Sequence, residues 1–144
     1  MWHTSYEDRL RSWHDLKEKV LPLPLKDQLD AIVSWWSHAP IVNNIVHWDD
    51  KSNWPGPWEL LAENGYCELA SSLGLSYTVL QVNNNVDVKI AVAKDSLGSE
   101  VTIVLIDNGK YILNWDHNDV LSTDEYKFEI IKTFDCDKLK TKIG

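Results

Sequence analysis

The sequence is short of several things, and each shortage excludes a class of protein. No apolar run approaches the roughly 18 residues that a membrane helix needs, and the start, Met1 to Asp8, has neither the basic opening nor the apolar core of a secretory signal. The expectation is a protein made and kept inside a cell, or assembled there. Basic residues are also scarce: 14 lysines and arginines stand against 22 acids, for a net charge of −8. No block of positive charge is available to neutralise phosphates, so neither nucleic acid nor an anionic membrane is an expected partner. Cysteine is nearly absent. Cys67 and Cys136 are too few and too far apart for a disulfide framework, and they lack the paired spacing of a zinc site. His47, Asp49 and Asp50 match no standard metal spacing either, so neither metal nor cofactor is expected.

What the chain has in excess is tryptophan. There are eight in 144 residues, and all but Trp115 fall at or before Trp58. Indoles at this density fill a core or anchor an interface. A helical half this short can scarcely hide all of Trp2, Trp13, Trp35, Trp36, Trp48, Trp54 and Trp58, so one or two are expected to face a partner.

Length and composition fit a single domain with a sizeable core. Residues 1–53 read as a helical part, 54–134 as a helix-plus-sheet core, and 135–144 as a polar tail. Ser5 with Asp8 three residues on marks a helix N-terminus. Tyr6, Leu10, Trp13, Leu16 and Val20 then share one helical face. Leu21-Pro-Leu-Pro-Leu25 breaks that helix, because proline lacks the amide donor and restricts its predecessor. A second helix is predicted over about Lys26 to Ser37, and a third from Pro57 to Asn64. A short helix from about Tyr66 to Leu73 is read as ending at Gly74.

Beyond Gly74 the pattern changes. Ser76 to Val82 reads as a strand. Val86, Val88, Ile90 and Val92 then alternate in the two-residue period of a half-buried strand. Val101 to Ile106 and Lys110 to Asn114 flank Asp107-Asn-Gly109, a hairpin signal because those residues tolerate positive φ. Tyr126 to Phe134 reads as the last strand. The predicted class is α+β, with N-terminal helices followed by an antiparallel β-meander and packed on one side of it.

One region carries chemistry. Trp58-Glu-Leu-Leu-Ala-Glu-Asn-Gly-Tyr-Cys67-Glu-Leu-Ala, followed by Leu73-Gly-Leu-Ser-Tyr-Thr-Val79, resembles the nucleophile region of bacterial transglutaminase-like (papain-like) cysteine proteins. Val101 to Ile106, Asn108-Gly-Lys-Tyr-Ile-Leu113, Asn114 and Val120-Leu121 are similar to that family's later strands. The resemblance implies a transglutaminase-like core over about residues 54–121. It puts Cys67 at the nucleophile, at the positive end of a helix that favours thiolate. Asn114 takes the third, orienting position, with Asp116 as the near alternative. The histidine position falls near Ser99, Glu100, Val101 or Thr102, and none of these is histidine. Without imidazole nothing there takes the thiol proton or protonates a leaving group. Carboxylates at Glu68 and Glu100 push a neighbouring thiol pKa upward, the wrong way. His47 and His117 are the remaining candidate bases, since such partners meet in space and not along the chain.

A second resemblance concerns the aromatic half. Tyr6-Glu-Asp-Arg-Leu10 with Trp13, Trp35-Trp36 with Ala39-Pro40, and His47-Trp-Asp-Asp50 with Trp54-Pro-Gly-Pro-Trp58 are similar to small virion proteins of tailed bacteriophages. That similarity implies a neck, tail or baseplate subunit, located in the virion after assembly in host cytoplasm and partnered by other protein subunits. If the protein is not viral, a cytoplasmic location is expected. The expected function is a non-catalytic structural or interaction protein that uses Trp35, Trp36, Trp48, Trp54 and Trp58 for binding. The alternatives are a cysteine hydrolase or acyl transferase using Cys67, and a carbohydrate-binding module built on the Trp54–Trp58 turn.

Overall fold

The computed structural model describes residues 2, 5–40, 54–62, 65–83, 85–115, 119–122 and 129–136. Four helices precede five strands: α1 (Tyr6–Val20), α2 (Leu25–Trp36), α3 (Pro57–Ala62), α4 (Glu68–Val82), β1 (Val88–Lys94), β2 (Glu100–Ile106), β3 (Tyr111–Leu113), β4 (Leu121–Ser122) and β5 (Glu129–Asp135). None of these helices is long and apolar enough to cross a membrane. The predicted α+β class is the observed one.

The first two helices form as their periodicity dictates. Ser5 Oγ accepts the Asp8 amide at 3.1 Å and caps α1. Trp13, Leu16 and Val20 face inward, and the proline-containing break lets α2 fold back against α1. Buried Gln28 joins the two helices by donating from Nε2 at 3.0 Å to the Val20 carbonyl, which also accepts the Leu23 amide at 2.9 Å where α1 ends.

The third quarter of the chain departs from the sequence reading. Gly74 does not end a helix, and Ser76 to Val82 is not a strand: α4 runs unbroken from Glu68 to Val82. The reason is burial. Nearly every α4 residue from Leu69 to Leu80 is buried, so the helix lacks a polar face and shows no helical period. Gly74 is required for approach and not for a turn. A Cβ there would lie 2.5 Å from the Trp36 ring. The hydroxyls that signal a strand bond back along the helix instead. Ser76 Oγ donates to the Ser72 carbonyl at 2.8 Å and Thr78 Oγ1 to the Gly74 carbonyl at 2.7 Å.

The sheet is antiparallel, in the order β4-β3-β2-β1-β5. The hairpin between β2 and β3 uses positive φ at Asp107, Asn108 and Gly109, as their residue types predict. Val88, Ile90, Val92, Val104, Ile106 and Phe134 join the core shared with the helices. The opposite face is buried too: Ala91, Ala93, Ile103, Leu105, Ile112 and Leu121 form a second apolar cluster. β1 is therefore more fully buried than the half-buried reading predicts, whereas β5 buries only Phe134.

Candidate functional site

Three elements converge at the N-terminus of α4: the turn into the helix, the start of β2 and the end of β3. The turn is set by Tyr66, whose amide donates to the Pro40 carbonyl at 2.9 Å and whose hydroxyl donates to the Leu60 carbonyl. Cys67 follows as the N-cap residue of α4, with extended backbone (φ −76°, ψ 174°). Its thiol makes no capping bond to the helix, and the residue is 0% exposed.

The start of β2 faces this helix end. Thr102 pairs with Val92 and shares its helix-facing side, whereas Val101 packs in the cluster on the opposite face. The Thr102 amide donates to the Glu68 carboxylate. Burial holds the Glu68 carboxyl above its ordinary range; the Thr102 hydrogen bond pulls the other way, and the Glu100 charge adds to the rise.

The end of β3 delivers Asn114, which adopts φ 69°. Asparagine is one of the few residues other than glycine that tolerates this region. Its Nδ2 lies 2.8 Å from Ser72 Oγ, 3.1 Å from the Glu68 carbonyl and 3.2 Å from the Thr102 carbonyl. Ser72 Oγ in turn donates to the Thr102 carbonyl at 3.2 Å. The amide orientation is unambiguous, because two of the three neighbours are carbonyl oxygens that can only accept. Beside Asn114, a crevice bordered by Ser71, Leu75 and Trp36 holds about 10 Å³, which is barely the room of one water.

The fold thus brings together the N-terminus of α4, the start of β2 and Asn114. What meets there is a closed polar knot of Glu68, Ser72, Thr102 and Asn114. Ser72 is the member that sequence reasoning missed. The available signal was its position four residues after Glu68, on the same face of the helix. His47, Trp48, Asp116 and His117 lie outside the described residues. Among the described residues, no three His, Cys, Asp or Glu side chains are gathered to hold a metal ion.

The candidate binding tryptophans separate into two kinds. Trp36 and Trp54 are buried, Trp36 against Gly74 and Trp54 edge-on to Phe134 with ring centroids 5.1 Å apart. Trp35 is half-buried and donates to Ser12 Oγ at 2.9 Å. Of the described candidates only Trp58 is open, at 47% exposure, with its ring edge-on to Trp13 at 5.5 Å. Trp54 and Trp58 therefore do not present one shared flat surface.

Four helices followed by a five-stranded antiparallel sheet, with α4 packed on β1 and β2, form an α+β architecture with a transglutaminase-like core. Among solved structures, the chain is similar to LapG of Legionella pneumophila in its calcium-bound form, with a TM-score of 0.75 and 14% identity, covering 92% of this chain and 77% of that one. A further LapG structure gives a TM-score of 0.73 at 15% identity over 92% of this chain and 77% of that one, and the EGTA-treated form gives 0.70 at 14% over 94% and 76%. At such identity the likeness is one of fold. No family model and no curated protein matches the sequence.

Proposed function

We propose that this chain is a non-catalytic interaction domain on a transglutaminase-like core, serving as a structural subunit of a larger protein assembly. The observation that carries the reading is the polar knot. At the start of β2, where the resemblance expects a histidine, stands Thr102, whose amide donates to the Glu68 carboxylate, and Cys67 is fully buried. Thiolate chemistry needs a partner base and access. Asn114, at the orienting position, spends its amide on Ser72 Oγ and the Glu68 and Thr102 carbonyls.

The narrower form of the proposal is a neck, tail or baseplate subunit of a tailed-phage particle, located in the virion and bound to other protein subunits. The aromatic N-terminal half supports it by resemblance, and the exposed ring of Trp58 offers an anchor of the type that dominates protein interfaces. The competing reading is a cysteine hydrolase or acyl transferase, with His47 or His117 as base.

The alkylation rate of Cys67 between pH 5 and 10, in a Cys136→Ser background, separates the two. The proposal expects slow labelling that appears only on unfolding. Fast labelling of the native protein, with a midpoint well below the ~8.5 of a free thiol, would sink it. Partner binding by the Cys67→Ser variant at wild-type strength is the matching positive outcome.

A further inference from the structure

The face of the sheet turned away from the helices carries a cavity of about 550 Å³ that opens to solvent. That size falls within the roughly 300–1,000 Å³ of small-molecule sites. Strand register puts its lining on one face. Ala91 and Ala93 belong to the apolar cluster on the far side from the helices, so Lys89, two residues before Ala91, points the same way. Leu105 stands opposite Lys89 on β2, and on β5 Thr133 stands opposite Ala91 and Ile130 opposite Ala93. Asp87 and Lys110 complete the lining beside the β2–β3 turn. The cavity therefore lies across the sheet from Cys67 and the polar knot, which belong to the helix side.

The turn holds two opposite charges near each other. Asp107 donates its amide to the Asp87 carbonyl at 2.8 Å and accepts the Lys110 amide on its own carbonyl at 3.2 Å. Neither charge is fully answered within the chain. Asp87 Oδ2 is buried and meets no hydrogen-bond donor; the Lys89 ammonium stands 4.0 Å away, beyond hydrogen-bond reach. An acceptor taken from water without a donor in exchange is costly. The Lys110 ammonium lies 5.3 Å from the centroid of the Tyr111 ring, and no carboxylate pairs with it among the described residues. Leu105 and Ile130 supply the apolar part of the lining.

Each feature calls for a different group on one ligand: a cationic donor for Asp87, an anion for Lys110 and an aliphatic body for Leu105 and Ile130. We infer that the cavity is a binding site for a free α-amino acid with an aliphatic side chain. The ligand ammonium pairs with the Asp87 carboxylate, its carboxylate with Lys110, and its side chain rests on Leu105 and Ile130. The two charges of an α-amino acid sit on neighbouring atoms of one carbon, which suits a carboxylate and an ammonium whose backbones meet through the single residue Asp107. The inference goes beyond the interaction role proposed above and does not rest on it, because the cavity uses the opposite face of the sheet and none of the residues around Cys67.

The test titrates the full chain with L-leucine and follows the backbone amide resonances of Lys89, Lys110 and Thr133. N-Acetylleucine, which lacks the ammonium, and leucinamide, which lacks the carboxylate, serve as controls and also stand for the two ends of a peptide. Saturable shifts are expected with leucine, and binding about tenfold weaker or worse with either control, the effect of losing one charged pair. Lys110→Met and Asp87→Asn are each expected to weaken leucine by a similar factor. Lys110 is exposed on the turn, so its variant keeps the fold and decides the matter should Asp87→Asn fail to fold. An unsaturable response to leucine, a control that binds as tightly as leucine, or unchanged leucine binding in Lys110→Met would overturn the inference.

Discussion

Trp13 on α1 and Trp36 on α2 donate their indole N–H groups to one and the same atom, Thr78 Oγ1, at 2.9 and 3.0 Å. Thr78 also donates its own proton to the Gly74 carbonyl. A hydroxyl has one donor and two lone pairs, so this one is fully used. Three helices are pinned at a single oxygen inside the core.

Thr78→Val keeps the shape and removes that oxygen. Both buried indoles then lose their acceptor, at about 1–3 kcal/mol each. The expected loss of unfolding free energy in urea is about 2–4 kcal/mol, discounted for partial relaxation. Thr78→Ser keeps the hydroxyl and is expected to cost only about 1 kcal/mol, the value of a buried methyl. Equal losses in the two variants would show that the shared bond contributes little.

Gly74→Ala is a substitution whose sign is informative. In an unconstrained helix interior, alanine is favoured over glycine by about 1 kcal/mol. Here the new Cβ would stand 2.5–2.8 Å from three atoms of the Trp36 ring, and that ring is tethered to Thr78. Overpacking of this type costs about 1–3 kcal/mol. A net loss of stability is therefore expected in thermal or urea unfolding, and a gain would show that Trp36 moves freely.

Asn114→Asp replaces the amide by a carboxylate of the same shape, and it is expected to destabilise. The two N–H donors are replaced by an acceptor-only group facing Ser72 Oγ and two carbonyl oxygens. Loss of these bonds costs about 1–3 kcal/mol at neutral pH. The introduced carboxyl is disfavoured in its charged form, so its folded pKa lies above the ordinary value. The deficit against wild type should shrink as pH falls toward ~4, the ordinary aspartate range. A deficit independent of pH would contradict the assignment of the amide as donor.

Glu68 makes a prediction of its own. Its folded carboxyl titrates above the ordinary 4.5, mainly because of burial. A raised pKa means that the stabilising contribution is complete below about pH 4.5 and is lost as pH climbs through the folded value. Glu68→Gln keeps an oxygen for the Thr102 amide and cannot ionise. The variant is expected to gain on wild type between pH 4.5 and neutrality when unfolding is measured across that range. The opposite trend would mean that the Thr102 bond to the carboxylate outweighs its burial.

The helices with one polar face were legible from spacing alone. Tyr6 to Val20 and Leu25 to Trp36 repeat apolar residues at helical intervals because solvent bathes their other side. The same rule fails for α4, which is enclosed on all sides. Its Thr78, Val79 and Val82 satisfy a strand pattern equally well, and Gly74 looks like punctuation until Trp36 is seen lying over it. At the site, Cys67 and Asn114 were visible through family resemblance. The joining of Ser72 to Thr102 was not, because it depends on how α4 is registered against β2, a relation between distant segments that no local pattern encodes.

The order of the sheet has a consequence for synthesis. β5, the last described strand along the chain, pairs with β1, the first. A nascent chain leaving the ribosome can assemble β1, β2 and β3 in sequence, but Ile90 and Val92 remain on an open margin until Phe134 and its neighbours emerge. An unpaired margin is where one polypeptide zips onto another. Vectorial synthesis therefore leaves the oldest strand waiting for the youngest, and crowding among polysomes should expose this protein to strand capture during that interval.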